Sequence, residues 1–250
     1  MLARNRQNDG REGDVMYWNG KELITFDIET TSLSAHSGGL VCGTFKVGEG
    51  YQVGRTIEEV NEILNDLGSD IILVTYNGEN YRGGFDFPFL RSSYAKQGLC
   101  WGFSNYEHLD ILPLVRKYMN TSNDVIEPAS KSNLSAGDVK KIAKANQVGY
   151  TTKNKTYKAL EAMDSTCWLE FEKEKNVEKN DLQTVYQLFF DPEVKEEYID
   201  GADTAKLVRQ GKIDDVIRHN MNDVKRTEDV LELILYYVPS NEIWNNIKKL

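Results

Sequence analysis

Cysteine is scarce in this chain, and long apolar runs are missing. Cys42, Cys100 and Cys167 are isolated and odd in number among 250 residues. That pattern gives neither a disulfide framework nor a cysteine zinc site, and it suits a reducing, cytoplasmic setting. All three are expected as small core residues. No apolar stretch reaches the roughly 18 residues of a membrane span, so no membrane partner is expected. The segment Met1–Gly10 has no apolar h-region of the secretory kind. Internal repeats, low-complexity tracts and a Gly/Pro-rich linker are also missing, which favours one α/β domain over a string of modules.

The net charge of −9 argues mildly against broad electrostatic binding to nucleic acid. Its distribution points the other way. Lys131 to Lys158 holds seven lysines against the single acid Asp138, a local charge of +6. Glu161 to Asp203 holds thirteen acids against four lysines, a charge of −9. With Tyr150 and Tyr157 interleaved, the basic stretch reads either as a backbone-contacting surface or as a solvated helix face.

Residues 1–14 are polar without periodicity and read as a loose arm ahead of a single domain at 15–250. Val15 to Trp18 and Leu23 to Ile28 read as strands around the Asn19-Gly20 turn pair. Leu40 to Val47 and Tyr51 to Arg55 are further strand candidates. Thr56 is a helix N-cap with Glu59 three residues on, and the helix runs through Leu67. Ile71-Ile72-Leu73-Val74-Thr75 reads as a buried strand. Helices are expected from Pro88 to a stop at Gly98, over 109–119, 134–148, 157–175 and 181–190, and from Ile213 to about Val238. Strands first and helices after imply a mixed β-sheet flanked by helices, with a helical elaboration over 120–205. His36 and His108 read as surface or loop residues.

Against this ordinary background four carboxylates stand where charge is not expected. Asp27 and Glu29 interrupt the apolar run Leu23–Ile28, and their i, i+2 spacing puts both on one face of a strand. Asp86 opens the helix that contains Pro88; it reads either as a site residue or as a simple cap. Asp223 follows His219 by four residues on a helix, so the two share a face, beside a core stripe of Val216, Val224, Leu231 and Ile234. Charges are rarely buried unless paired or bound to metal. Converging carboxylates therefore suggest hard divalent cations, which prefer oxygen ligands. His219 is the candidate base that orients or deprotonates an attacking water. Between Asn77 and Phe85 lies the insertion Glu79–Gly84, which reads as a mobile flap with Arg82 as a phosphate contact, or as a neutral loop.

Taken together, Asp27-Ile28-Glu29-Thr30-Thr31, then Asn77-Gly78 with Phe85-Asp86-Phe87-Pro88-Phe89-Leu90, then Asp223-Val224 with Thr227, resemble the three motifs of the DEDD (DnaQ-like) 3′–5′ exonucleases. Gly211–Ile217 is similar to the branch related to family B DNA polymerase proofreading domains. The resemblance implies a ribonuclease H-like fold and two Mg²⁺ or Mn²⁺ ions held by Asp27, Glu29, Asp86 and Asp223. It places Thr30, Thr31 and Leu33 near a terminal nucleotide, with Asn77 and Phe85 in support. It implies 3′–5′ hydrolysis at single-stranded DNA or RNA ends. DNA is slightly favoured over RNA, a choice that no residue here decides, and a replication or repair protein is a candidate partner. The family carries a tyrosine four residues before its last aspartate, or a histidine five before it. Here His219 sits at four, in the tyrosine's place. Two alternatives keep the same fold: a nucleic-acid-binding module with weak or no catalysis, and a structure-specific endonuclease.

Overall fold

The run that carries Asp27 and Glu29 becomes the longest strand of the sheet. In the structure, a computed structural model, residues 15–128, 134–163, 172–178, 180–190 and 201–250 are described. In chain order the elements begin with β1 (Tyr17–Trp18), β2 (Lys21–Thr30), β3 (Leu40–Val47), β4 (Gly50–Gly54), α1 (Ile57–Leu67), β5 (Ile71–Thr75) and α2 (Asp86–Gln97). They continue with β6 (Glu107–Asp110), α3 (Leu112–Tyr118), β7 (Ser122–Pro128), α4 (Ala136–Ala145), α5 (Lys153–Met163) and β8 (Glu172–Glu178). Last come α6 (Leu182–Phe189), α7 (Gly201–Arg209), α8 (Ile213–Tyr237), α9 (Ser240–Asn246) and β9 (Ile247–Lys249). The chain divides into two compact units, Met1–Asn120 with Asn180–Leu250, and Thr121–Lys179.

The first unit is a mixed sheet of order β4-β3-β2-β5-β6-β9, with β1 paired to β2. Strands β2, β5 and β6 are parallel, whereas β3, β4 and β9 each run antiparallel to a neighbour. The β1–β2 turn has positive φ at both Asn19 and Gly20, the type I′ geometry that suits the strand twist. Thr56 caps α1 by accepting from the Glu59 amide. Alternation along β2 sorts its side chains. Ile24, Phe26 and Ile28 join Val60, Leu64, Phe87 and Leu90 in a core under α1 and α2. Leu23 joins Ile72, Val74, Leu109, Val230, Leu231 and Ile234 on the opposite face, where α8 lies. Asp27 and Glu29 share Leu23's parity and therefore face α8. This mixed sheet flanked by helices is compatible with a ribonuclease H-like fold.

The second unit is an antiparallel pair, β7 with β8, and a helical pair, α4 with α5. Leu134, Val139, Ile142, Ala143, Tyr157 and Leu160 form its core.

Several expectations need correction. Residues 109–119 are not one helix: the chain first runs as β6, because His108 and Leu109 are pulled into the sheet beside β5. The stretch 120–205 is not wholly helical, since β7 and β8 pair along seven residues; the end of the helix expected over 157–175 falls instead in β8, which begins at Glu172. His108 is buried, not superficial, and its Nε2 lies 2.8 Å from Thr75 Oγ1. Burial, then the charges of Lys248 and Arg91, hold its pKa down at about 3, so it is a neutral core histidine. Cys42 is buried as expected, but Cys100 is exposed. Tyr157 belongs to a core and offers no ring for stacking, whereas Tyr150 is exposed. The arm 1–14, Lys131 and Cys167 lie outside the described residues.

Candidate active site

The site forms at the carboxyl ends of parallel strands, where helix N-termini and loops leave a crevice. A cavity of about 540 Å³ is lined by Asp27, Glu29, Thr30, Leu33, Asn77, Phe85, Asp86 and Asp223, with Ile28, Ser32, Tyr76 and Gly84. Residues from the three sequence blocks thus meet in one place. Asp27 and Glu29 come from β2, Asp86 from the first position of α2, and Asp223 from the middle of α8. Asp86 is not a cap: Phe85 holds the N-cap position and no side chain caps that helix end.

The carboxylates repel one another. Burial first, then the charges of Asp86, Asp223 and Glu29, raise the pKa of Asp27 well above the usual aspartate range. Asp86, only 3% exposed, is raised by burial and then by Asp110 and Glu29. Burial pushes Glu29 up to about 7; the Thr204 hydroxyl pulls it down and Asp223 pushes it further up. The Asp86 Oδ2 atom is buried with no hydrogen-bond partner among the described residues. An orphaned carboxylate oxygen among other carboxylates is the arrangement that a hard cation would satisfy.

His219 lies 8% exposed between two of these acids, its Nε2 3.5 Å from Asp223 Oδ2 and 3.8 Å from Glu29 Oε1. Glu29, His219 and Asp223 each offer a ligand atom within 4.8 Å of the others, a geometry able to hold one metal ion. Asp27 and Asp86 line the same cavity outside that triad.

A layer of neutral and cationic groups orients the acids, and sequence reasoning missed all of it. Asn220 Nδ2 donates to Asp27 Oδ2 at 2.6 Å, Thr204 Oγ1 donates to Glu29 Oε2 at 3.0 Å, and Arg226 Nη1 donates to Asp223 Oδ1 at 2.7 Å. The Arg226 guanidinium sits over the Tyr186 ring, 5.8 Å from its centroid. One signal was legible: Asn220 and Arg226 lie one position after His219 and three after Asp223, on turns of α8 already marked as facing the site. Thr204 carried none, because α7 was not expected.

Asp110 sits beneath the site as a loop anchor. Its Oδ1 accepts from the Asn77 and Leu112 amides, both at 3.0 Å, and its Oδ2 from Asn80 Nδ2 at 3.0 Å. The insertion Glu79–Gly84 is thereby tied through Asn80 to the end of β6. Two further candidate residues lie apart from the cavity lining. Thr31 does not line the cavity, and its Oγ1 accepts from the Gly39 amide instead. Arg82 is likewise off the cavity wall, exposed, with its guanidinium 5.3 Å from the Tyr81 ring centroid.

No protein-family model matches this chain, and no curated protein matches it. Among solved structures, one described as the apo form of a nuclease is similar at a TM-score of 0.30 and 15% identity, over 89% of this chain and 88% of that one. That likeness is too slight to carry any argument, so the functional reading rests on the site.

Proposed function

We propose that this chain is a divalent-metal-dependent nuclease that hydrolyses phosphodiester bonds from the 3′ ends of single-stranded DNA or RNA. The observation that carries the reading is the buried Oδ2 of Asp86, without a hydrogen-bond partner among the described residues, in a cavity shared with Asp27, Glu29 and Asp223. The donor set is all oxygen with one imidazole at its edge, which suits Mg²⁺ or Mn²⁺. Asp27, Glu29, Asp86 and Asp223 would hold two such ions. Bound there, the cations supply charge neutralisation and Lewis-acid polarisation of the phosphodiester.

The chain's own residues do the rest. Asn220, Thr204 and Arg226 fix the carboxylate rotamers, so the site needs little rearrangement to receive charge. His219 Nε2 takes the proton that the attacking water gives up, within reach of both Glu29 and Asp223. Leu33 and Phe85 present apolar surface to the terminal base, and Asn77 presents an amide. The cavity volume falls in the range for small ligands, which suits one terminal nucleotide. The 3′ polarity comes from the motif resemblance.

The test is a gel assay with 5′-labelled single-stranded DNA and RNA in Mg²⁺ or Mn²⁺. The parent should yield a ladder shrinking from the 3′ end, and Asp27→Ala should yield none. Undiminished degradation by Asp27→Ala would overturn the assignment, and internal fragments would redirect it to an endonuclease.

One observation favours the binding-module alternative: Arg226 already neutralises Asp223, with a contact that a cation would have to share. Metal titration separates the readings, since the enzyme should take up two divalent ions per chain and the module fewer.

A further inference from the structure

We infer that the insertion Glu79–Gly84 is a rigid stacking platform for a nucleobase, with Tyr81 as its contact surface and Arg82 as its backing. The inference rests on the nuclease reading above and adds a base-binding subsite next to the terminal pocket.

The loop is held from several directions. Glu79 makes a two-pronged pair with Arg91, at 2.7 Å to Nη1 and 2.5 Å to Nη2, and the Arg91 guanidinium lies over Trp101 at 5.1 Å. Asn80 donates to Asp110 Oδ2 at 3.0 Å and to Asn77 Oδ1 at 3.3 Å. A turn closes on itself, with Gly83 N donating to Asn80 O at 2.9 Å and Arg82 N donating to Asn80 Oδ1 at 2.9 Å. Gly84 has φ +81°, and a Cβ there would lie 2.6 Å from Glu79 Cα, so the closure requires glycine. Such a loop loses little conformational entropy when a ligand arrives.

Its tip is built to be touched. Tyr81 is 70% exposed, and Arg82 covers it with a guanidinium 5.3 Å from the ring centroid. Holding an aromatic ring out of the core on an anchored loop is not explained by folding, because among the described residues neither Tyr81 nor Arg82 contributes to an apolar cluster. The loop then delivers Gly84 and Phe85 into the cavity wall, so the platform leads directly to the pocket. A base has a π-face whatever its identity, and an aromatic ring paired with an arginine binds it without reading sequence. The subsite therefore takes a nucleobase of the strand whose end occupies the cavity.

The test is fluorescence anisotropy of the full chain with short labelled oligothymidylate and oligouridylate, in Ca²⁺ so that the strand is bound without being cut. Tyr81→Ala should weaken binding about tenfold, while Tyr81→Phe keeps parental affinity because stacking does not need the hydroxyl. Abasic residues near the 3′ end should weaken the parent similarly and leave Tyr81→Ala unaffected. Thermal melting checks that the variants fold. Equal binding by Tyr81→Ala and the parent would overturn the platform while leaving the nuclease reading intact. A parent that binds neither oligonucleotide would overturn both.

Discussion

Asp86 shows how the site sets function against stability. Its carboxylate is buried, one oxygen lacks a partner among the described residues, and burial followed by neighbouring acids raises its pKa. Asp86→Asn removes that charge while keeping the shape. The metal-free protein should gain roughly 1–2 kcal/mol in chemical denaturation, while hydrolysis falls at least about a hundredfold. Thr204 offers a subtler test. Its hydroxyl bond to Glu29 lowers that acid's pKa, so Thr204→Val should move the acid limb of the pH–rate profile to higher pH, read from kcat/KM across pH. At this scale the sequence was informative where chemistry needed an unusual residue. Asp27, Glu29, Asp86 and Asp223 each stood out as charges in apolar surroundings. Asn220 and Thr204 did not, because a neutral polar residue looks ordinary until its partner is placed beside it.

Helix α8 works as a register device for the site. His219, Asn220 and Asp223 face β2, while Val224, Val230, Leu231 and Ile234 are buried along the same helix. Leu231→Ala should cost about 2–5 kcal/mol in denaturant titration, since the side chain is fully buried in the core that seats the helix. The α8 boundaries were readable because twenty-five residues give a clear period. β6 was not readable: four residues are too short for a pattern, and its polar Glu107 and His108 hide a strand made by pairing with β5. β7 and β8 were hidden for a related reason. Charged segments such as Glu172–Glu178 read as solvated helix, and their pairing is a long-range contact that no local pattern reports.

Across the whole molecule the acidic cluster makes metal-free stability depend on pH. Glu29 has its pKa raised from 4.5 to about 7, and Asp27 and Asp86 are raised too. A raised carboxylate pKa means the folded chain holds protons the unfolded chain has released, so stability falls as pH rises through this window. Glu29 alone sets about 3 kcal/mol between pH 4.5 and 7. Melting temperature without divalent ions should drop across that range, and millimolar Mg²⁺ or Mn²⁺ should flatten the slope by binding the ionised form. Lys140, Lys141 and Lys144 are exposed on α4. Reversing all three to Glu should weaken oligonucleotide binding and lower its salt slope by up to about two to three units.

The two outermost strands of the main sheet also shape how the protein behaves when crowded. An uncovered edge invites a second chain to extend the ladder, the first step towards fibrils. β4 is five residues long and glycine at both ends, and β9 is three residues long with Lys248 and Lys249 exposed. Short length blunts both edges and repelling charge further protects β9, so a concentrated solution should resist ordered precipitation. Replacing the two lysines with valine would turn the β9 edge into a template for it.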